Sequence, residues 1–306
     1  MIANQLATKI IIIDQPEQAL IKLFCKHNAS QVLANRKMNL DLIQKISQDF
    51  LKDKAKYLGL LQKVCQTNFE TSLPLTNQER MTILILLTLP LFDYYSQLEI
   101  PENIFFDTLS DLVLRINLTN KEGISKADYE WLARIFRFEI VKLGELQFEF
   151  THFNPKSLAN DIQLKSEQPL RPGQAIISVH IMQESNIATN QCLGDFQKAI
   201  KFNKKYFPSH NALYFYCYSW LLNPNNQKLL SYDSNILSFS RLFNIIGHSP
   251  FPDMAMERIF GFESKQISKV DLPEQTSLQR KAKENLCLLG VGLGIISINS
   301  LITTIP

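Results

Sequence analysis

Cysteine is sparse and unpaired in this sequence: Cys25, Cys65, Cys192, Cys217 and Cys287 are odd in number, widely scattered and form no Cys-x-x-Cys pair. That excludes a disulfide framework and a thiolate zinc site, and implies reduced thiols in the cytoplasm. An excess of one charge is also missing. The net charge is only +3 over 306 residues, with no basic arm or tract, so there is no electrostatic footprint for nucleic acid. The apolar run 10–13 has only Lys9 ahead of it and no small-residue cleavage site behind it, so it reads as a strand or helix edge rather than a signal peptide. Glycine is scarce too, 10 in all, and Gly290-Val291-Gly292-Leu293-Gly294 is no dinucleotide fingerprint. It follows a helical pattern and opens an apolar strand, the reverse of the required order. One long uncharged run exists, 286–306, about the length of a membrane span. Its Ser297, Asn299, Ser300, Thr303 and Thr304 and its β-branched residues suit strands better than a lipid-embedded helix.

What is present divides into two halves. With 45% hydrophobic and 20% charged residues, the chain is long enough for two ordinary globular domains. From about 15 to 150 the chain reads as mainly helical, with apolar residues three and four apart over 17–25, 40–50, 55–69 and 103–114. A buried helix over 81–92 follows Asn77 and Arg80 and is expected to break near Pro90. Ser125 and Asp128 resemble a capping box ahead of a helix over 128–143, with Gly144 as its left-handed stop. Cys25 and His27 share a helix but have no partner at metal spacing. After Gly144 the period changes to two. Leu146, Phe148 and Phe150 alternate with Glu145, Gln147 and Glu149, the pattern of a half-exposed strand. The expected fold class is α+β: an all-α N-terminal domain, 1–143, followed by a mixed α/β domain, 144–306.

The second half is organised around a βαβα unit. A β-branched strand over 176–181 precedes a helix over 189–206, whose Cys192, Phe196, Ala199, Ile200 and Phe202 lie opposite Lys198, Lys201, Lys204 and Lys205. A nearly continuous apolar and aromatic run, 213–222, reads as a second strand covered on both faces, and Asp233-Ser234-Asn235 opens a second helix. The first helix presents positive dipole and open amides at the end of the preceding strand, a seat for a phosphate-bearing ligand. Further helices are expected over 253–260 and 276–286, and further strands over 243–247 and 291–298.

Three groups of residues carry a resemblance: Trp131-Leu132-Ala133-Arg134 with Phe136-Arg137 and the run from Leu143 to Glu149; Val179-His180-Ile181; and Ser219-Trp220-Leu221-Leu222-Asn223-Pro224 with Asp233-Ser234-Asn235-Ile236, Phe239 and Arg241. Together they resemble bacterial acyltransferase-like proteins with a helical N-terminal domain and a C-terminal domain of the GNAT (N-acetyltransferase) type. The resemblance implies an acyl-CoA-dependent N-acyltransferase, with acetyl-CoA or another acyl-CoA as co-substrate and a small-molecule amine or peptide as acceptor. It implies direct attack of the amine, without a covalent enzyme intermediate. The diphosphate would sit on the backbone of Thr189, Asn190 and Gln191, an amide near Ile181 or Met182 would face the thioester oxygen, and Asn235 would touch the cofactor. The chain departs from the pattern in two places. The glycine-rich Gln/Arg-x-x-Gly-x-Gly/Ala turn is replaced by Met182-Gln183-Glu184-Ser185-Asn186-Ile187-Ala188, and Leu242 stands at the tyrosine position of the second helix. The alternative is therefore a catalytically silent GNAT-like binding or scaffold module.

Single residues carry two readings each. His180 is a candidate catalytic base on a strand near the acyl site, or a hydrogen-bonded structural histidine. Cys217 with His210 has the composition of a nucleophile pair, but Cys217 sits in a Tyr-rich strand as an inert core thiol would. Tyr214, Tyr216 and Tyr218 share one strand face, as core packing or as a wall for the acceptor.

Overall fold

The computed structural model describes residues 75–118, 122–158, 162–165, 169–183, 185–261 and 267–304, with 52, 53, 55, 56 and 59. The chain divides into two compact units, Met1–Lys142 and Leu143–Pro306. The expected helices over 17–25 and 40–50, most of that over 55–69, and Cys25 and His27 lie outside the described residues.

In the first unit, helices α1 (Asn77–Gln97), α2 (Glu102–Leu118) and α3 (Lys126–Phe136) are described. A reciprocal cap starts α1: Thr76 Oγ1 accepts from the Glu79 amide at 3.2 Å, and the Glu79 carboxylate accepts from the Thr76 amide at 2.9 Å. The break expected at Pro90 does not occur, and α1 runs through it. Ile83, Leu84, Leu87, Leu91 and Tyr95 of this helix are essentially inaccessible. At about 1.5–3 kcal/mol for each fully buried side chain, their burial outweighs the roughly 3 kcal/mol cost of an interior proline.

The helix expected over 128–143 ends early, and strand β1 (Ile140–Leu143) follows it. The reason is Phe138, which takes a φ of 58°. Its amide reaches Ile135 O, and the Glu139 amide reaches Arg134 O at 2.9 Å, closing the helix in left-handed geometry. Left-handed backbone costs a non-glycine residue about 1–2 kcal/mol. Burial of the Phe138 ring, edge-on to Tyr94 and Tyr95, offsets that cost. Gly144 is thus no helix stop. It lies in the turn after β1, with φ of 87°.

The second unit contains β2 (Leu146–His152), β3 (Gln163–Leu164), β4 (Ala175–Ile181), α4 (Thr189–Tyr206), β5 (Tyr214–Ser219), α5 (Asn226–Leu229), α6 (Asn235–Ser240), β6 (Asn244–Ser249), α7 (Asp253–Phe260), α8 (Ser277–Glu284), β7 (Val291–Ser297) and α9 (Ile298–Thr304). The strands form one mixed sheet in the order β1-β2-β4-β5-β7-β6-β3. Strands β4 and β5 are parallel, with α4 as the crossover between them. The run expected as strand over 213–222 is strand only to Ser219. There the Ser219 hydroxyl accepts from the Leu221 amide and opens a 3-10 turn, Trp220–Leu222. The uncharged C-terminal run is mainly β7 followed by the short α9, and no described helix is long and apolar enough to cross a membrane.

Face assignments follow from the register. Phe196 of α4 packs at ring-centroid distances of 6.0 Å from Phe148 of β2 and 4.8 Å from Phe215 of β5, so α4 covers the phenylalanine face of the sheet. Tyr216, Leu293 and Ile295 build a separate core with Phe153, Leu170, Ile176 and Ile246 on the other face.

Candidate functional site

The central strands part from each other and from nothing else. Strand β4 pairs with β2 along its whole length, from Ala175↔His152 to Ile181↔Leu146, and β5 pairs with β7 from Tyr214↔Ser297 to Ser219↔Gly292. Between β4 and β5 the ladder stops at Ser178↔Tyr216. Backbone groups along a strand point alternately to its two neighbours. Beyond Ser178, those of β4 that turn toward β5 therefore have no ladder partner on it.

Seven residues separate the end of β4, at Ile181, from the start of α4, at Thr189. Its N-cap, Ala188, makes no side-chain hydrogen bond, the first turn holds no acidic residue, and the first helical bond runs from the Cys192 amide to Ala188 O. The amides of Thr189, Asn190 and Gln191 precede that ladder, at the positive end of the helix dipole. The connecting loop is held by side chains: Asn186 Oδ1 accepts from the Ala188 amide (3.1 Å), Ser185 Oγ donates to Glu145 O (3.0 Å), and the Asn186 amide donates to Glu145 Oε2 (3.2 Å). No described residue of this loop has positive φ, so its conformation does not require glycine. Gln183 and Ala188 fit the outer positions of the glycine-rich pattern, with Asn186 at the first glycine.

A buried carboxylate fixes this arrangement. Asp195 of α4 is wholly inaccessible and accepts from the Glu145 amide (2.7 Å), Lys198 Nζ (2.8 Å) and Gln191 Nε2 (3.1 Å). Lys198 is thus an ion-pair partner rather than part of a purely solvated face. Burial, with the Asp195 carboxylate nearby, pushes the Cys192 thiol up to about 12. Sequence reasoning missed Asp195, although its place in the apolar stripe of Cys192, Phe196 and Ala199 was a signal.

The sheet face opposite α4 carries polar side chains that are out of water. Strand β2 is buried on both faces over residues 146–150, contrary to the half-exposed strand expected from its alternation; Gln147 is 1% and Glu149 9% exposed. Register places Gln147 opposite His180, Glu149 opposite Ser178, and Ser178 beside Tyr216. His180 Nε2 lies 2.8 Å from Glu149 Oε2. An ionised carboxylate only accepts, so Nε2 carries the proton, and in the neutral ring Nδ1 is the acceptor nitrogen. Burial, with adjacent groups including Glu149, pushes the Tyr216 phenol up. Glu149 was legible only as a polar residue on an alternating strand; its burial is what distinguishes it.

The expected site residues fall as follows. His180 and Ile181 end β4 at the opening, Met182 is the next residue and accepts from the Ser185 amide, and Thr189, Asn190 and Gln191 form the first turn of α4. The Gln191 side chain is engaged with Asp195, so its backbone is what it offers. Asn235 is exposed at the first position of α6, after the Ser234 cap; α6 packs against α4 and the 3-10 turn that follows β5. The Cys217 and His210 pair is not assembled. Cys217 is fully buried and its thiol is pushed up by desolvation, while His210 Nε2 is bonded to Ile176 O at 3.0 Å. No hydrogen bond or ring contact joins the two among the described residues, and the same residues hold no metal-ligand cluster.

Solved structures share this fold. An acyltransferase in complex with decanoyl-CoA and teicoplanin is 17% identical, with 88% of this chain and 87% of that chain covered at a TM-score of 0.67. An acyltransferase in complex with decanoyl-CoA is 18% identical, and an acyltransferase mutant with octanoyl-CoA is 17% identical, each with the same coverage and TM-score. No curated protein matches the sequence. Residues 140–294, more than half of the chain, match the family described as the GNAT-like C-terminal domain. The chain therefore belongs to the family of proteins with a GNAT-like C-terminal domain.

Proposed function

We propose that the protein transfers an acyl group from acyl-CoA to an amine by direct attack. The observation that carries this reading is the parting of β4 from β5 after Ser178 and Tyr216, beside the uncapped start of α4. A strand edge without a ladder partner can pair with the amides of a pantetheine arm, and helix-start amides suit a diphosphate. In this reading the amides of Thr189, Asn190 and Gln191 hold the diphosphate, and Asn235 lies along the cofactor. A backbone N–H at Ile181 or Met182 faces the thioester oxygen, where negative charge develops.

The amine nitrogen attacks the thioester carbon and forms a tetrahedral oxyanion. His180 takes the amine proton at Nδ1, with Glu149 holding the ring through Nε2. Collapse breaks the carbon–sulfur bond and releases the thiolate. A thiolate leaves readily near neutral pH, so Leu242 at the tyrosine position does not prevent turnover. The similar solved acyltransferases hold octanoyl- and decanoyl-CoA, which supports a donor range reaching beyond acetyl-CoA. The acceptor is a small-molecule amine or peptide; teicoplanin accompanies one of those acyltransferases. We further assign 1–143, helical up to strand β1, to an N-terminal domain and 144–306 to the transferase domain, in a cytoplasmic protein with reduced thiols.

Calorimetric titration with CoA and with acetyl-, octanoyl- and decanoyl-CoA tests the donor site. Saturable binding, followed by turnover with amines that His180→Ala abolishes, is expected. No heat at millimolar ligand removes the proposal, and binding without turnover leaves the silent-module reading.

A further inference from the structure

Two side chains from opposite ends of α6 lie together on the surface. Tyr232 sits in the turn Ser231–Ser234, which the Ser234 amide closes on Ser231 O at 3.0 Å, and Arg241 is the C-cap of α6, its amide donating to Leu237 O. The Arg241 side chain reaches back to that turn. Its guanidinium carbon lies 3.9 Å from the centre of the Tyr232 ring, and Nη2 donates to Tyr232 O at 2.6 Å. Tyr232 is nonetheless 81% exposed, more than any other large apolar side chain among the described residues.

The pair keeps binding capacity in hand. Among the described residues Arg241 forms no ion pair, with the neighbouring Asp233 or any other carboxylate, and its Nε and Nη1 groups have no acceptor. A guanidinium is a rigid fork of N–H donors that matches two oxygens of one phosphate. The guanidinium covers one side of the Tyr232 ring, and the exposure of the residue leaves the other side as a surface on which a flat base can stack. Both groups are held in place by each other, so little side-chain entropy is lost when a ligand arrives. A phosphate beside a flat heteroaromatic ring is the chemistry of a purine nucleotide. Position ties the pair to the donor site. Asn235, set along the cofactor in the acyl-transfer reading, is three residues from Tyr232. Phe243, two residues past Arg241, packs at ring-centroid distances of 5.1 Å from Phe239 of α6 and 6.1 Å from Phe196 of α4, the helix whose first turn seats the diphosphate in that reading. In CoA the diphosphate continues into an adenosine that carries a phosphate on its 3′ oxygen.

We propose that Tyr232 and Arg241 hold the adenosine 3′-phosphate end of acyl-CoA, with the guanidinium on the phosphate and the purine against the open side of the phenol ring. The pair thereby selects a donor carried on CoA over the same acyl group carried on a phosphopantetheine arm without the nucleotide. This inference rests on the acyl-transfer reading and adds to it what the donor must carry.

The test is calorimetric titration of the full chain with octanoyl-CoA, octanoyl-3′-dephospho-CoA and octanoyl-phosphopantetheine. An exposed ion pair is worth about fivefold in affinity, and stacking of a base on an aromatic side chain about fivefold or more. The wild-type protein should therefore bind octanoyl-CoA about fivefold more tightly than the dephospho form, and the dephospho form about fivefold or more above the phosphopantetheine. Arg241→Gln should erase the first difference and leave the affinity for the dephospho form unchanged. Tyr232→Leu should reduce the second difference and leave the affinity for the phosphopantetheine unchanged. Retained affinity for the smaller ligand separates either effect from misfolding. Equal binding of octanoyl-CoA and its dephospho form by the wild-type protein, or discrimination that survives Arg241→Gln, overturns the assignment and leaves the donor site standing. Failure to bind any of the three removes the donor site as well.

Discussion

Gly144→Ala is the sharpest test of how the α4 start is held. A Cβ built on Gly144 would lie 1.9 Å from Asp195 Oδ1 and 2.4 Å from its Cγ, and the backbone there has φ of 87°. The conformation alone costs an alanine about 1–2 kcal/mol. The overlap costs more, because Asp195 is buried and cannot move without loosening its bonds to the Glu145 amide, Lys198 and Gln191. Disturbing a buried charge–amide bond costs about 1.5–3 kcal/mol. The sum is about 2.5–5 kcal/mol. Urea denaturation followed by circular dichroism should show this loss, with a fall in Tm of about 10 °C for a unit of this size. Acyl-CoA affinity should fall as well at temperatures where the variant is folded, since Glu145 is the anchor of Ser185 and Asn186 in the loop before α4. A loss below about 1 kcal/mol would refute the argument, because it would mean that Asp195 moves aside without penalty.

Gly292→Ala would place a Cβ 2.0 Å from the backbone oxygen of Leu222; denaturation should show a loss of about 3 kcal/mol or more from strain in the 3-10 turn. Glu149→Gln keeps a hydrogen-bonding side chain beside His180 but removes its charge, so kcat should fall by about tenfold or more while acyl-CoA binding is kept. An unchanged kcat would leave His180 and Glu149 as a structural pair. His210 has its pKa lowered from the ordinary 6.5, chiefly by burial and partly by His152, with the bond to Ile176 O acting in the opposite sense. The folded state thus binds its proton less readily than the unfolded one. Its contribution to stability is present above 6.5 and is lost as pH falls through the lower folded value, and His210→Gln should flatten stability measured across that window. Cys192, pushed up to about 12, should not react with iodoacetamide at pH 8, whereas the exposed Cys287 should.

Local rules gave the elements in which pattern and packing agree. The helix over 189–206 has one apolar stripe, and α4 has those bounds. Where tertiary contacts decide, local rules failed. Pro90 signals a break in any isolated helix, but the helix around it is buried. The run 128–143 is long enough for one helix, yet Phe138 ends it because its ring is better packed against Tyr94 and Tyr95 than a continued helix would allow. The candidate site was legible as a strand end followed by a helix start. It was not legible as a polar layer, since the alternation over 145–150 says only that Gln147 and Glu149 share a face, and burial of that face depends on residues distant in sequence.

The missing glycines in the turn before α4 and the glycines present in β7 belong to one account of the opening. Two parallel strands part only if each is held more firmly by its other neighbour. On one side, β4 stays with β2 to its last residue, and the β1–β2 turn is tied to α4 through Gly144, Glu145 and Asp195. On the other side, β5 stays with β7 to Ser219, and the chain then folds over β7 in the turn Trp220–Leu222. That fold-over brings the Leu222 backbone to Gly292 so closely that no side chain fits, while a Cβ at Gly294 would meet only side chains, Phe243 at 2.8 Å and Leu222 at 3.0 Å. Glycine is therefore required where backbone must approach backbone beside the opening. In the loop before α4 side chains and ordinary φ values do the holding, and Asn186 can stand where a glycine would otherwise be needed. Loss of the glycine-rich turn thus leaves the gap between β4 and β5 intact, because what maintains the gap is the pair of outer ladders.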